Sequence, residues 1–180
     1  MTAESFLAVR LGSMGDIVHT LPAVAALRRR YPQARLDWLV EARWQELVEV
    51  NPHITQCISV DTLGWRRHLF TPVTWRAIIE KLRALRRQRY DCVIDFQGLY
   101  KSAVLAWLAD ARQRLGFHER FLREPGCFVF YTERVVAGAS ETAHVIDLNL
   151  ALVARLEAQA VRPLAFDLPA TADDEAYVES

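Results

Sequence analysis

The chain has 180 residues, 52% of them hydrophobic, with 22 basic side chains balanced by 22 acidic ones. That composition supports a buried core and excludes a disordered chain, and the neutral total excludes a general nucleic-acid binder. No apolar run is long enough for a bilayer span, the N-terminus lacks a basic signal region, and Cys57, Cys92 and Cys127 are too scattered for a disulfide or zinc framework, so a cytoplasmic protein with reduced thiols is expected.

Phe6–Leu11 reads as a short buried strand. It runs into Gly12-Ser-Met-Gly15 and then a helical pattern carried by Ile17, Leu21, Val24 and Leu27, closed by Arg28–Arg30. In an open α/β sheet such a turn lies at the carboxyl end of a strand, where these folds bind ligands. Asp16 follows the turn, at or near the helix N-cap. It either accepts bonds from free amides of the first turn or serves as a base aimed into a cleft. His19 falls on the same side of the helix three residues later. Thr20-Leu-Pro22 either restarts the helix, with Thr20 as a second cap, or kinks it at the proline. Gly12-x-x-Gly15 is neither the dinucleotide fingerprint nor a P-loop.

Arg35–Val40 is a second strand, followed by a helix to Val50 with Trp44, Leu47 and Val48 inward. Thr55–Val60 is a third strand, and the alternation predicts a parallel sheet with right-handed crossovers. Trp65-Arg66-Arg67-His68-Leu-Phe-Thr-Pro72 is a loop or short helix. It is either a solvated connection with Trp65 tucked into the core, or a basic segment that holds an anionic ligand. Trp75, Ile78, Ile79, Leu82 and Leu85 mark the inner face of an amphipathic helix. Tyr90–Asp95 is a fourth, central strand, and Phe96-Gln-Gly-Leu-Tyr-Lys-Ser102 opens a helix to about Asp110.

A parallel sheet puts Asp95, Gln97, Gly98, Lys101 and Ser102 on the same edge as the first turn. Asp95 either lines a site there or braces the loop. Arg112–Phe117 is a fifth strand, His118–Gly126 a polar loop and Cys127–Tyr131 a buried segment. A helix begins at Glu141–His144, with Val145, Leu148, Leu152 and Leu156 on one face. Ala165–Leu168 is expected as a last short strand. Residues 1–168 form one domain, and 169–180 read as a linker or the opening of another domain.

Arg10–Pro22, Asp37-Trp38 with Val40-Glu41, Trp65-Arg66-Arg67, Asp95-Phe-Gln-Gly-Leu-Tyr-Lys-Ser102 and Arg123-Glu-Pro125 together resemble glycosyltransferase family 9, the ADP-heptose:lipopolysaccharide heptosyltransferases, and within it the heptosyltransferase I members. The resemblance runs across nearly the whole chain. It implies the N-terminal, Rossmann-like half of a GT-B fold, which holds the Kdo-lipid A acceptor. The donor, ADP-heptose, belongs to a C-terminal domain beyond Ser180, and no bound metal or other cofactor is implied. By the same resemblance Asp16 is the general base. Ser13, Gly15, His19, Arg66, Arg67, Gln97, Gly98, Lys101 and Arg123 are acceptor-site residues, and the protein works at the cytoplasmic face of the inner membrane. The alternatives are heptosyltransferase II or another family member, a nicotinamide-binding module with Glu41 on a ribose, or a non-catalytic binding fragment.

Overall fold

A computed structural model describes residues 5–68, 71–136 and 144–168. The linker expected at 169–180, the helix start expected at Glu141 and the middle of the loop at Leu69-Phe70 lie outside the described residues. The chain forms a six-stranded sheet in the order β3-β2-β1-β4-β5-β6. Its strands are β1 (Ser5–Val9), β2 (Arg35–Glu41), β3 (Gln56–Val60), β4 (Cys92–Asp95), β5 (Gln113–Phe117) and β6 (Glu133–Val135). Every pairing is parallel. The chain steps outward from β1 to β3, then crosses back to lay β4 against the free side of β1. The strand order therefore reverses between β1 and β4, the point where doubly wound sheets open a crevice at their carboxyl edge. Val9 pairs with Asp95, so the turns after the two strands leave the sheet at the same level.

Alternation of side chains along the central strands feeds two cores. Phe6, Ala8, Trp38, Cys92 and Ile94 point to one face, against α2 (Leu21–Arg30), α3 (Gln45–Glu49) and α7 (Val145–Ala154). Leu7, Val9, Leu39 and Val93 point to the other, against α5 (Pro72–Arg87) and α6 (Tyr100–Leu108). Burial on both faces explains why β1 and β4 read as unbroken apolar runs. Each fully buried Phe, Leu or Ile contributes about 1.5–3 kcal/mol.

The helix after the first turn breaks in two, α1 (Met14–Val18) and α2, and Pro22 lies in the first turn of the second. Thr20 occupies the cap position, but its hydroxyl donates backwards to the Asp16 carbonyl at 2.8 Å. Asn149 of α7 donates to the His19 carbonyl at 3.0 Å and to the Thr20 hydroxyl at 3.2 Å. The break is thus closed by a side chain from the opposite end of the chain.

Asp16 lies near the cap as expected, in the first turn of α1; the N-cap itself is Ser13, whose N–H donates to the Asp16 carboxylate at 3.2 Å. Two expectations need correction. Trp75 and Ile79 of α5 do not pack inward: they are 52% and 43% exposed, and Leu85 is the residue of that stripe that is fully buried. Ala165–Leu168 forms no strand. The sixth strand is instead Glu133–Val135, a polar edge strand following a 3-10 turn over Pro125–Phe130. Of the two forms open to the Trp65 segment, loop or short helix, it takes the helical one, α4 (Thr62–Arg67), capped by the Asp61 carboxylate accepting from the Gly64 N–H at 2.7 Å.

Candidate active site

The turn after β1 is built around a buried arginine. Arg10 is 4% exposed. Its Nη2 meets Asp16 Oδ1 at 2.7 Å, and its Nη1 donates to the carbonyl of Phe96 in the turn after β4. Burial pulls this guanidinium below its ordinary pKa; Asp16 and Asp95 oppose the shift, and the charge of Arg123 adds to it. Gln97 supplies a second tie between the turns, its Oε1 accepting from the Leu11 N–H at 2.8 Å. Gly12 takes φ +153, and a Cβ there would stand 2.8 Å from the Trp44 indole nitrogen, so glycine is required on both counts.

The turn after β4 is built around a buried carboxylate. Asp95 is fully buried. Its Oδ1 accepts from the N–H groups of Gln97 and Gly98 at 2.8 and 3.3 Å. Its Oδ2 accepts from the hydroxyls of Ser102 and Tyr131 at 2.9 and 2.8 Å. Burial raises the Asp95 pKa above the ordinary carboxylate value, and these four hydrogen bonds oppose the rise. Tyr131 reaches Asp95 across Gly116 of β5, where a Cβ would fall 2.3 Å from its ring. Asp95 therefore braces the loop.

Between the two turns lies a cavity of about 190 Å³ lined by Leu11, Gly12, Ser13, Asp16, Glu41, Arg43, Leu63, Gln97, Lys101 and Arg123. The Asp16 side chain is 18% exposed. Among the described residues its Oδ2 accepts from the Ser13 N–H and hydroxyl, at 3.2 and 3.3 Å, so lone-pair capacity remains for a further donor. Three cations, Arg43, Lys101 and Arg123, face two carboxylates, Asp16 and Glu41. Such a site suits an anionic ligand that offers a hydroxyl to Asp16.

Of the residues singled out from sequence, Ser13, Asp16, Gln97, Lys101 and Arg123 line this cavity. Arg66 lines an adjoining cavity of about 700 Å³ that shares Leu63 and Lys101 with the first. Arg67 is exposed at the end of α4. Gly15 is exposed on α1, and Gly98 shapes the β4 turn with φ +67. His19 lies to one side, edge-on to His144 with ring centroids 5.5 Å apart.

Arg10 and Arg43 are site residues that the sequence reading does not single out, and Glu41, considered there as an acid for a ribose, lines the same cavity as Asp16. Glu41 is 4% exposed and accepts from the Thr62 hydroxyl at 2.7 Å and the Leu63 N–H at 3.4 Å, tethering α4 to the sheet edge. The signal for Arg43 is the same strand-end rule applied to the residues just after β2.

The sequence model of glycosyltransferase family 9 (heptosyltransferase) matches residues 78–177. The chain belongs to glycosyltransferase family 9. Lipopolysaccharide heptosyltransferase 1 of Pseudomonas aeruginosa is 34% identical over 128 residues, which is 69% of this chain and 35% of that protein. The Salmonella typhimurium protein of the same name is 29% identical over 173 residues, 96% of this chain and 52% of that one. The structure of E. coli heptosyltransferase WaaC with ADP-2-deoxy-2-fluoro heptose superposes with a TM-score of 0.81 at 27% identity, covering 90% of this chain and 51% of that chain. The family 9 chain thus has the α/β fold of one half of the GT-B heptosyltransferases, and it spans about a third to a half of the length of these curated relatives. Among its described residues no helix is long and apolar enough to cross a membrane.

Proposed function

We propose that this chain is the acceptor-binding half of an inverting heptosyltransferase, with Asp16 as its general base. The acceptor is Kdo of the lipopolysaccharide inner core, carried on lipid A. The donor is ADP-heptose, held by a second domain that the 169–180 stretch leads into. In the reaction an acceptor hydroxyl gives its proton to Asp16 while its oxygen bonds to the anomeric carbon of heptose. The bond from that carbon to ADP breaks on the opposite face, and ADP leaves with the electron pair.

The observation that carries this reading is the placement of Asp16. It lines a cavity with Lys101 and Arg123, while Arg10 fixes its orientation from behind. Proton removal by a positioned base is worth about 10²–10⁴ in rate. Lys101, Arg123 and Arg43 supply charge for the Kdo carboxylate. Arg66 and Arg67, on the helix tethered by Glu41, extend that cationic surface toward the rest of the acceptor at the cytoplasmic membrane face.

The test uses the two-domain enzyme bearing this chain, with ADP release as the readout. Asp16→Asn should lower turnover by about a hundredfold or more while acceptor binding and circular dichroism stay near the parent. Turnover within a few-fold of the parent removes Asp16 from the chemistry. Running Kdo-lipid A beside an already heptosylated core decides between heptosyltransferase I and other members of the family.

A further inference from the structure

The larger cavity has a different chemistry from its neighbour. Its walls are Trp75, Ile78 and Leu82 of α5 and Val104, Leu105 and Leu108 of α6. Trp65 of α4 also lines it. The groove exists because the first half of α5 stands off the sheet, leaving apolar side chains that should have packed inward half-exposed. At about 700 Å³ it falls inside the range of sites that enclose a small ligand, about 300–1,000 Å³. A contiguous apolar surface of this kind in water marks a binding site.

Two observations say what fills it. The groove is continuous with the Asp16 cavity, because Leu63 and Lys101 line both. Its charged lining is also asymmetric. Arg66 and Lys101 supply two cations, and the acid Glu124 is already occupied, accepting from the Tyr100 N–H at 2.6 Å. A ligand that spans both cavities therefore has a polar, anionic head beside Asp16 and a hydrocarbon tail between α5 and α6. We infer that the α4–α5–α6 groove takes an acyl chain of the acceptor, so that one amphiphile is gripped by head and tail from adjoining sites. This rests on the acceptor reading above. It adds that α5, remote from the chemistry, selects for the acylated form.

Calorimetry on the 180-residue chain tests it, comparing the Kdo-bearing saccharide with and without its acyl chains. Dodecyl phosphate serves as a second, simpler probe. The acylated form should bind about tenfold tighter or more, since even a few buried methylenes suffice for that. Dodecyl phosphate should shift the fluorescence of Trp65 and Trp75 to the blue. Ile78→Glu, which puts a charge on a half-buried groove position, should bring the acylated-to-deacylated ratio close to one; Val104→Phe, which fills the groove without a charge, should do the same. Equal binding of both saccharides with no response to dodecyl phosphate overturns the groove assignment and leaves the acceptor reading standing. Binding of neither saccharide overturns both. A dimer in sedimentation that Ile78→Glu dissolves and dodecyl phosphate does not would give the groove to a second copy and overturn the acyl-chain assignment.

Discussion

Two aspartates belong to the turns that leave the neighbouring strands β1 and β4, Asp95 at the end of its strand and Asp16 in the helix after the other, and the molecule treats them in opposite ways. Asp95 is fully buried and receives four hydrogen bonds, two from backbone N–H groups and two from hydroxyls. Asp16 keeps 18% of its side chain exposed, takes one charged partner on Oδ1 and two long bonds on Oδ2, and borders a cavity. One carboxylate is saturated and the other is aimed. A saturated carboxylate holds a loop in shape; an aimed one retains the capacity to receive a proton from something that enters. The bracing acid also serves the working one, because it fixes the turn from which Phe96 and Gln97 reach back to Arg10 and Leu11.

Substitutions can break this division of labour. Asp95→Ala should have the largest effect on stability, about 2–4 kcal/mol by denaturant titration, because two hydroxyls and two N–H groups lose a buried acceptor. Asp16→Asn should leave stability much closer to the parent, so the two variants should separate cleanly on one plot of turnover against unfolding free energy. Arg10→Lys keeps a positive charge but loses the fork that spans Asp16 and Phe96. On the proposed role of Asp16, turnover of the two-domain enzyme should fall about ten- to a hundredfold as the base is displaced, with acceptor affinity changed much less.

The smallest effect is a pH slope. Asp95 has a pKa raised by burial, so the folded protein holds this proton at pH values where the unfolded chain has released it. Its contribution to stability is present below the ordinary carboxylate range and is lost as pH rises from there to the raised native pKa. Asp95→Asn, which cannot ionise, should remove that part of the slope from a stability profile measured across acid to neutral pH. An unchanged profile would mean that Asp95 titrates normally despite its burial.

The parts of this architecture legible in the sequence are those where local pattern and tertiary context agree. The apolar runs of β1 and β4 announce central strands, and the glycines after each announce turns at one edge. The pattern puts Asp16 at or near the cap of α1 without ranking it against Ser13, an equally good capping residue, and the structure gives the cap to Ser13. The standing-off of α5 was invisible because its stripe has the helical period of a packed helix. Whether a stripe is covered depends on what lies opposite. Glu133–Val135 escaped notice because three residues, two of them charged, carry no strand signal, and their pairing with β5 is dictated by the neighbour. Ala165–Leu168 has the opposite character, an apolar pattern with no strand to pair against. Arg10 shows the same limit for the site: its place in the Phe6–Leu11 run says that it is buried, but not that its partner six positions on folds back onto it.

The amide of Asn149 that closes the gap between α1 and α2 has a consequence for how the protein is made. A growing polypeptide emerges N-terminus first, at about 5–20 residues per second. The segment holding Asp16 leaves the ribosome well before the clasp on the His19 carbonyl, which arrives some 130 positions later. The Asp16 corner is therefore synthesised well before it is locked, and a nascent chain halted before α7 would carry that corner without its fastening.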